Sequence, residues 1–318
     1  MKNELKAMFT EYWKYLAVNA ACELYLFDKI YDGQNKLEIL TNIYKWDSKT
    51  LLNLLDFLTA NCYLIKLEDR SYKLTDKGNL LREQNLNGLY YACIHWSGEH
   101  LTAWQNLKYT IETGKSSFEE IYKKPYFEYL NDSPVKLHAY HNAMYEYARD
   151  DYKTLHELID FSKHNSVMDV GGGYSAILEN IKKCYINVEC ILFDLEKVVT
   201  QVAIPNIKKV GGSFFENIPS LSEAIILSRV LHDWNNEKAK IILNNCYNAL
   251  PDGGILYVIE NLAERVNNIF LLSLSMSAIC ESYERTKSEY EKLLKESNFI
   301  IISVVQLNEL QYILIAKK

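Results

Sequence analysis

The sequence predicts an α/β protein: a mainly parallel sheet with one antiparallel strand, preceded by a helical N-terminal region. Two observations carry this. Past residue 166, short apolar runs alternate with helical segments, the pattern of a parallel sheet covered by helices. The chain then ends on two β-rich runs, 299–307 and 310–316, joined at Asn308-Glu309, so one strand must enter the sheet antiparallel.

The elements follow in order. Leu16, Ala17, Ala20, Leu24, Leu26 and Ile30 recur at helical spacing, and 36–43 forms a further helix. Ser48 is a candidate N-cap for a helix over 48–59 with apolar Leu51, Leu52, Leu54, Leu55 and Leu58. Tyr63-Leu-Ile-Lys-Leu67, a turn at 68–71 and Tyr72-Lys-Leu-Thr75 make a hairpin. Helix, helix, hairpin is a winged-helix arrangement, placed over residues 1–85. Lys66, Glu68, Asp69, Arg70 and Lys73 on the wing roughly cancel, which favours a protein partner over DNA. Residues 86–160 are helical and aromatic-rich, a connecting segment. Residues 161–318 form the sheet domain, with strands at 166–170, 187–193, 207–210, 224–227 and 255–259 before the terminal pair. Helices are expected at 175–183, 236–250 and 287–297.

Composition bounds the function. The chain has 318 residues, 35 Lys+Arg and 41 Asp+Glu, a formal charge of −6, which offers no bulk attraction to nucleic acid. Hydrophobic residues make up 48 %, enough for a large core and against disorder. No run reaches the roughly 18–20 apolar residues of a membrane helix. The N-terminus lacks the apolar stretch of a signal peptide. Seven scattered Cys without a C-x-x-C suggest reduced thiols and a cytoplasmic setting. The 24 Tyr, 11 Phe and 5 Trp serve core and dimer packing, or line a pocket for a planar ligand.

Two constellations carry chemistry. Asp169-Val-Gly-Gly-Gly-Tyr-Ser175 joins a strand to a helix, and Asp194 ends the next strand, where a carboxylate can accept ribose hydroxyls. A dinucleotide meets the loose glycine pattern, and a plain tight turn is the bland alternative. A P-loop lacks its Gly-Lys-Ser/Thr. A phosphate-free nucleoside cofactor such as S-adenosylmethionine fits best, since Asp169 would repel a pyrophosphate and welcome an ammonium and a sulfonium. The second constellation is His232, beyond the fourth strand, with Glu260 at the end of the fifth and Glu284 before the next helix. An imidazole can take the proton of a hydroxyl, and a carboxylate on its other nitrogen steadies the charge. A structural His is the alternative. His95, His100, His138, His141, His156 and His164 have weaker claims, and no metal is expected because no H-x-x-x-H or H-E-x-x-H occurs.

Asp169-Val-Gly-Gly-Gly173, Phe193-Asp-Leu195, Val210-Gly-Gly-Ser-Phe-Phe215, Leu231-His-Asp-Trp234, Leu250-Pro-Asp-Gly-Gly254 and Glu284-Arg-Thr286 occur in this order. Together they resemble the caffeate/hydroxyindole-type class I O-methyltransferases of the bacterial small-molecule branch, over essentially the whole chain. The resemblance implies a Rossmann-like seven-stranded domain. It implies transfer of a methyl group from S-adenosylmethionine to a hydroxyl of a small aromatic, phenolic metabolite. His232 is then the general base, flanked by Glu260 and Glu284. Gly171 and Gly173 approach the methionyl part, Asp194 holds the ribose, Ser213 and Phe214 bracket the adenine, and Ser228 contacts the cofactor. Trp104, Met144, Tyr147 and Met276 wall the substrate pocket, and interlocked N-terminal helices make a homodimer. Three positions depart from the family: Ser213 replaces an Asp, Ser175 replaces a Gly, and Ser228 stands where plant members often have Lys. Ser175 and Ser213 motivate a rival reading, in which the same fold uses the cofactor without methyl transfer, for decarboxylation, hydroxylation or cyclisation. A DNA-binding sensor is the non-enzymatic rival, disfavoured by the acidic balance.

Overall fold

The computed structural model describes residues 1–264 and 267–318, with the side chains of all but 267 and 268. The described residues fall into two compact units, Met1–Leu101 and Thr102–Lys318.

In the first unit, helices Tyr12–Glu23 and Leu26–Tyr31 are separated by Tyr25, whose φ of 52° breaks the helical path. Helices Leu37–Tyr44 and Ser48–Ala60 follow, then strands β1 (Leu64–Lys66) and β2 (Tyr72–Leu74), paired antiparallel with Leu64 opposite Leu74. The expected helix–helix–hairpin is therefore present. The N-cap is Asp47 rather than Ser48: the Asp47 side chain accepts from Thr50 N while its own backbone stays extended. Leu26, Phe27, Leu40, Leu55, Leu58 and Tyr72 fill the core. Two ion pairs tie the hairpin to neighbouring helices, Asp69 with Lys36 at 3.0 Å and Lys66 with Asp56 at 3.8 Å.

The second unit holds a seven-stranded sheet built from β3 (Ser166–Val170), β4 (Glu189–Asp194), β5 (Ile207–Gly211), β6 (Ala224–Ser228), β7 (Ile255–Asn261), β8 (Ile300–Gln306) and β9 (Gln311–Lys317). The order is β5-β4-β3-β6-β7-β9-β8. The first five strands are mutually parallel, and β9 runs antiparallel to both β7 and β8, as the terminal hairpin required. Successive side chains of a strand face opposite ways, and the sheet uses both faces. Met168, Val170, Ile191, Phe193, Leu227 and Val258 enter one core. Val167, Cys190, Leu192, Ala224, Ile226 and Ile259 enter the other. Burial on both sides explains why these strands read as unbroken apolar runs rather than alternating ones. Helices Asn236–Ala249 and Lys287–Glu296 supply the first core, and Ala176–Cys184 the second.

Much of the aromatic content sits in a third cluster, where Phe118 is ringed by Tyr122, Tyr126 and Tyr129 at 4.6, 5.1 and 5.3 Å between centroids. Helix Asn267–Cys280 was not expected from the sequence. Strand order reverses between β3 and β6, and the carboxyl ends of strands at such a reversal form a crevice where open α/β sheets bind ligands. No helix among the described residues is long and apolar enough to cross a membrane.

Candidate active site

The loop after β3 is shaped by its glycines. Gly171 has φ +73° and Gly173 φ +55°, which side chains rarely adopt. A Cβ on Gly171 would lie 2.9 Å from Val230 Cγ2 and 3.4 Å from the Phe214 ring. One on Gly173 would lie 3.0 Å from His141 Nδ1. Ser175, where the family has Gly, also takes positive φ (63°), and its buried hydroxyl has no partner among the described residues.

Two carboxylates face this loop. Asp194 Oδ2 accepts from Gly173 N at 2.9 Å and Oδ1 from Leu195 N at 2.7 Å. Burial pushes Asp194 up to about 6, against the pull of those two amides. Asp169 is buried with Oδ1 unpartnered, and burial together with the charge of Asp194 pushes it up to about 7. Neither has a cationic side chain as partner among the described residues. A ligand bringing positive charge and hydroxyl donors would relieve both, and the glycine cradle leaves its backbone accessible. The residues present thus fit a nucleoside carrying ammonium and sulfonium groups.

Around the loop, Ser213 Oγ accepts from Phe215 N at 3.3 Å, so the hydroxyl caps its own turn. Phe214 packs against Phe215 and Trp234 and closes on Gly171. Ser228, at the end of β6, shares a 2.6 Å hydrogen bond with the Tyr152 hydroxyl.

His232 lies on a single 3-10 turn, Leu231–Asp233, and is 5 % exposed. Its Nδ1 is 2.8 Å from Glu284 Oε1. A carboxylate only accepts, so Nδ1 carries the proton of a neutral ring and Nε2 keeps its lone pair. Nε2 makes no hydrogen bond among the described residues; Asp233 Oδ1 is 3.7 Å away.

The two glutamates do different work. Glu284 binds the ring and is itself held by Asn261 Nδ2 at 3.2 Å. Glu260, fully buried one residue before the end of β7, accepts Val230 N at 3.1 Å and Leu231 N at 2.8 Å on Oε1. It fixes the loop, with Oε2 3.9 Å from His232 Nδ1. Arg285, also fully buried, donates to Leu231 O (2.8 Å), Trp234 O (2.6 Å) and Asn236 Oδ1 (3.0 Å), clamping the turn from its far side. Burial alone would pull His232 down, but Glu284, Glu260 and Asp233 outweigh it and push it up to about 10. Burial pushes Glu260 up to about 7 and Asp233 to about 6. The His232, Glu260 and Glu284 ligand-type atoms lie within 4.8 Å of one another. Oε1 of each glutamate is engaged, by His232 Nδ1 and Asn261 Nδ2 or by the Val230 and Leu231 amides, while Oε2 of each is buried with no hydrogen-bond partner among the described residues.

The pocket candidates divide. Trp104 Nε1 donates to Ser275 Oγ at 3.3 Å, beside buried Met276. Met144 Sδ receives Arg229 Nη2 at 3.7 Å, which links it to the β6 end of the site. Tyr147 is exposed one turn further along helix Pro134–Asp151. Sequence reasoning missed Arg285, Asn261 and Arg229, and gave His141 only a weaker claim. Arg285 sits inside the quoted Glu284-Arg-Thr286 motif, and Asn261 follows Glu260. Arg229 pairs with Asp151 at 3.6 Å and has φ +53°. His141 shares a helix face with Met144, three residues away, and that spacing was the available signal.

Comparison with known proteins places the chain in a family. Residues 104–300 match the model of the O-methyltransferase domain. The chain belongs to this O-methyltransferase family, whose methyl donor is S-adenosylmethionine. The enzyme is 27 % identical to the phenazine O-methyltransferase PhzM of Lysobacter antibioticus, over 95 % of this chain and 92 % of that one. It is 30 % identical to the 3-amino-4-hydroxybenzoate 4-O-methyltransferase of Streptomyces cremeus, over 93 % and 84 %. The crystal structure of LaPhzM superposes with a TM-score of 0.93 at 26 % identity, covering 99 % of the enzyme and 98 % of that chain. Human N-acetylserotonin methyltransferase in complex with its S-adenosylmethionine shares the fold, with a TM-score of 0.90 at 22 % identity and coverage of 100 % and 97 %.

Proposed function

We propose that the enzyme methylates a hydroxyl group of a small planar aromatic metabolite, with His232 as general base. One observation carries the reading: the imidazole is fastened through Nδ1 to a buried carboxylate, 2.8 Å away, while Nε2 stays unbonded. S-adenosylmethionine, when bound, supplies a methyl group activated on a sulfonium. Gly171, Gly173, Asp194, Ser213, Phe214 and Ser228 are the residues that would hold it. In its neutral form His232 takes the acceptor's proton on Nε2, and Glu284 stabilises the imidazolium that forms. Glu260 and Arg285 hold the turn in place, which matters because methyl transfer is largely a problem of positioning. Trp104, Met144, Tyr147 and Met276 supply the aromatic and sulfur-rich walls for a planar acceptor. The relatives named for a phenazine and for 3-amino-4-hydroxybenzoate support an aromatic substrate class.

The enzyme acts as a homodimer through its N-terminal helices. Leu5, Met8, Phe9, Tyr12 and Trp13 are all exposed there, and such a patch favours burial against a second apolar surface. The seven free thiols accord with a reducing, cytoplasmic setting.

The test is formation of S-adenosylhomocysteine from a panel of phenolic acids and phenazines. His232→Ala is expected to lower kcat by about 10²–10⁴-fold. An undiminished rate sinks the base role. Product without S-adenosylhomocysteine favours the reading in which the cofactor donates no methyl.

A further inference from the structure

His141 is a buried polar group that the mechanism leaves without a task. It lies on helix Pro134–Asp151 and is 9 % exposed. Its ring stacks on Tyr174 at 5.2 Å and 28° and meets Tyr140 edge-on at 5.1 Å. Tyr174 is fixed in turn, since its hydroxyl meets His138 Nδ1 at 3.0 Å and donates to Gln201 Oε1 at 2.7 Å. The two tyrosine rings therefore fix the plane of the imidazole. Nδ1 lies beside the glycine loop, 3.0 Å from the point where a Cβ on Gly173 would sit. Among the described residues neither ring nitrogen has a hydrogen-bond partner, and neither is sealed from solvent. Gly173 N, on the same residue, already donates to Asp194. Burial keeps the ring neutral by pulling His141 down to about 4. A neutral ring offers one N–H and one lone pair.

We propose that His141 binds the α-amino-acid end of the cofactor, its Nδ1–H donating to the α-carboxylate. This rests on the reading that the loop holds S-adenosylmethionine. The polarity follows from the surroundings. Asp169 and Asp194 make the inner side of the loop negative, which suits the ammonium. The carboxylate must then be met by a donor, and His141 Nδ1 lies beside the loop with one to spare. A histidine that merely packs between two tyrosines would need no open nitrogen at a glycine whose side-chain space it fills.

The test compares two ligands by calorimetry on the full chain. S-adenosylhomocysteine has the amino-acid end, and 5′-methylthioadenosine lacks it. His141→Phe keeps the aromatic stack and removes the donor, and His141→Leu carries the same comparison should Phe not fold. The variant is expected to weaken S-adenosylhomocysteine about 10–100-fold, the worth of one hydrogen bond to a charged group, and to leave 5′-methylthioadenosine unchanged. His141→Gln, which keeps a donor, is expected to recover most of the loss. Equal weakening of both ligands, or of neither, overturns the assignment. If wild type binds neither ligand, the cofactor reading fails instead.

Discussion

Glu284→Gln separates the charge of the dyad from its geometry. In the structure Glu284 Oε1 accepts from both His232 Nδ1 and Asn261 Nδ2. A Gln can keep its oxygen at that point, because Asn261 has only N–H to offer there, so the tautomer of His232 survives and only the charge is lost. A charge-assisted hydrogen bond is worth about 1.5–3 kcal/mol and a neutral one roughly half that. The loss of about 1–1.5 kcal/mol corresponds to about one pH unit. His232 should then titrate about one unit below its wild-type value of about 10.

The kinetic consequence depends on pH. Well below both titrations the resting ring is an imidazolium in either protein, and it resembles the protonated ring of the transition state. Ground and transition states lose the same partner, so kcat/KM changes little. Above the wild-type value the resting ring is neutral and only the transition state misses the charge, so the full deficit of about tenfold appears. Two assays read this: ¹⁵N NMR titration of the His232 ring, and kcat/KM for S-adenosylhomocysteine release from pH 6.5 to 10.5. An unmoved midpoint, or a deficit equal at every pH, refutes the account of Glu284 as the source of the raised imidazole.

Two further outcomes follow from the cofactor side of the site. Ser213→Asp should tighten S-adenosylhomocysteine binding about 10–100-fold, since a charged acceptor replaces a hydroxyl that already caps Phe215 N; unchanged calorimetric affinity refutes an adenine contact there. Asp169→Asn tests the loop's electrostatic strain. Asp169 is raised from 3.8 to about 7, so the folded state holds its proton more tightly. Its contribution to stability is fully present below about pH 4 and is lost as pH rises to 7. About three units at 1.36 kcal/mol each give about 4 kcal/mol as an upper figure. The Asn variant should therefore gain several degrees of Tm over wild type at pH 8 and little at pH 4, and a pH-independent difference counts against the strain.

The fold was legible because the sheet is buried on both faces. Apolar runs such as those of β3 and β6, punctuated by Gly171 and by Pro251-Asp-Gly-Gly254, leave little else to build. Helix Asn267–Cys280 was not legible. Leu272-Ser-Leu-Ser-Met-Ser-Ala278 alternates with period two, the signature of a strand, and tertiary packing overrides it. The Ser48 cap missed by one residue because Asp and Ser are equally good caps, and only the extended backbone of Asp47 decides between them.

The site was legible at the level of residue types and not of roles. His232, Glu260 and Glu284 could be placed above one sheet edge from the ends of β6 and β7. Sequence spacing could not tell which glutamate meets the ring. That depends on depth along β7: Glu260 lies within the strand, level with the amides of Val230 and Leu231, and so reaches the backbone of the loop. Asn261, one residue on, points the opposite way along the pleat and reaches Glu284. A single step of strand pleat thus assigns one side chain to hold the turn and the next to hold the carboxylate that binds the ring. Moving either function to the other residue would need a register shift that also turns the apolar residues of β7 out of their cores. The same packing that stabilises the sheet therefore fixes the orientation of the base.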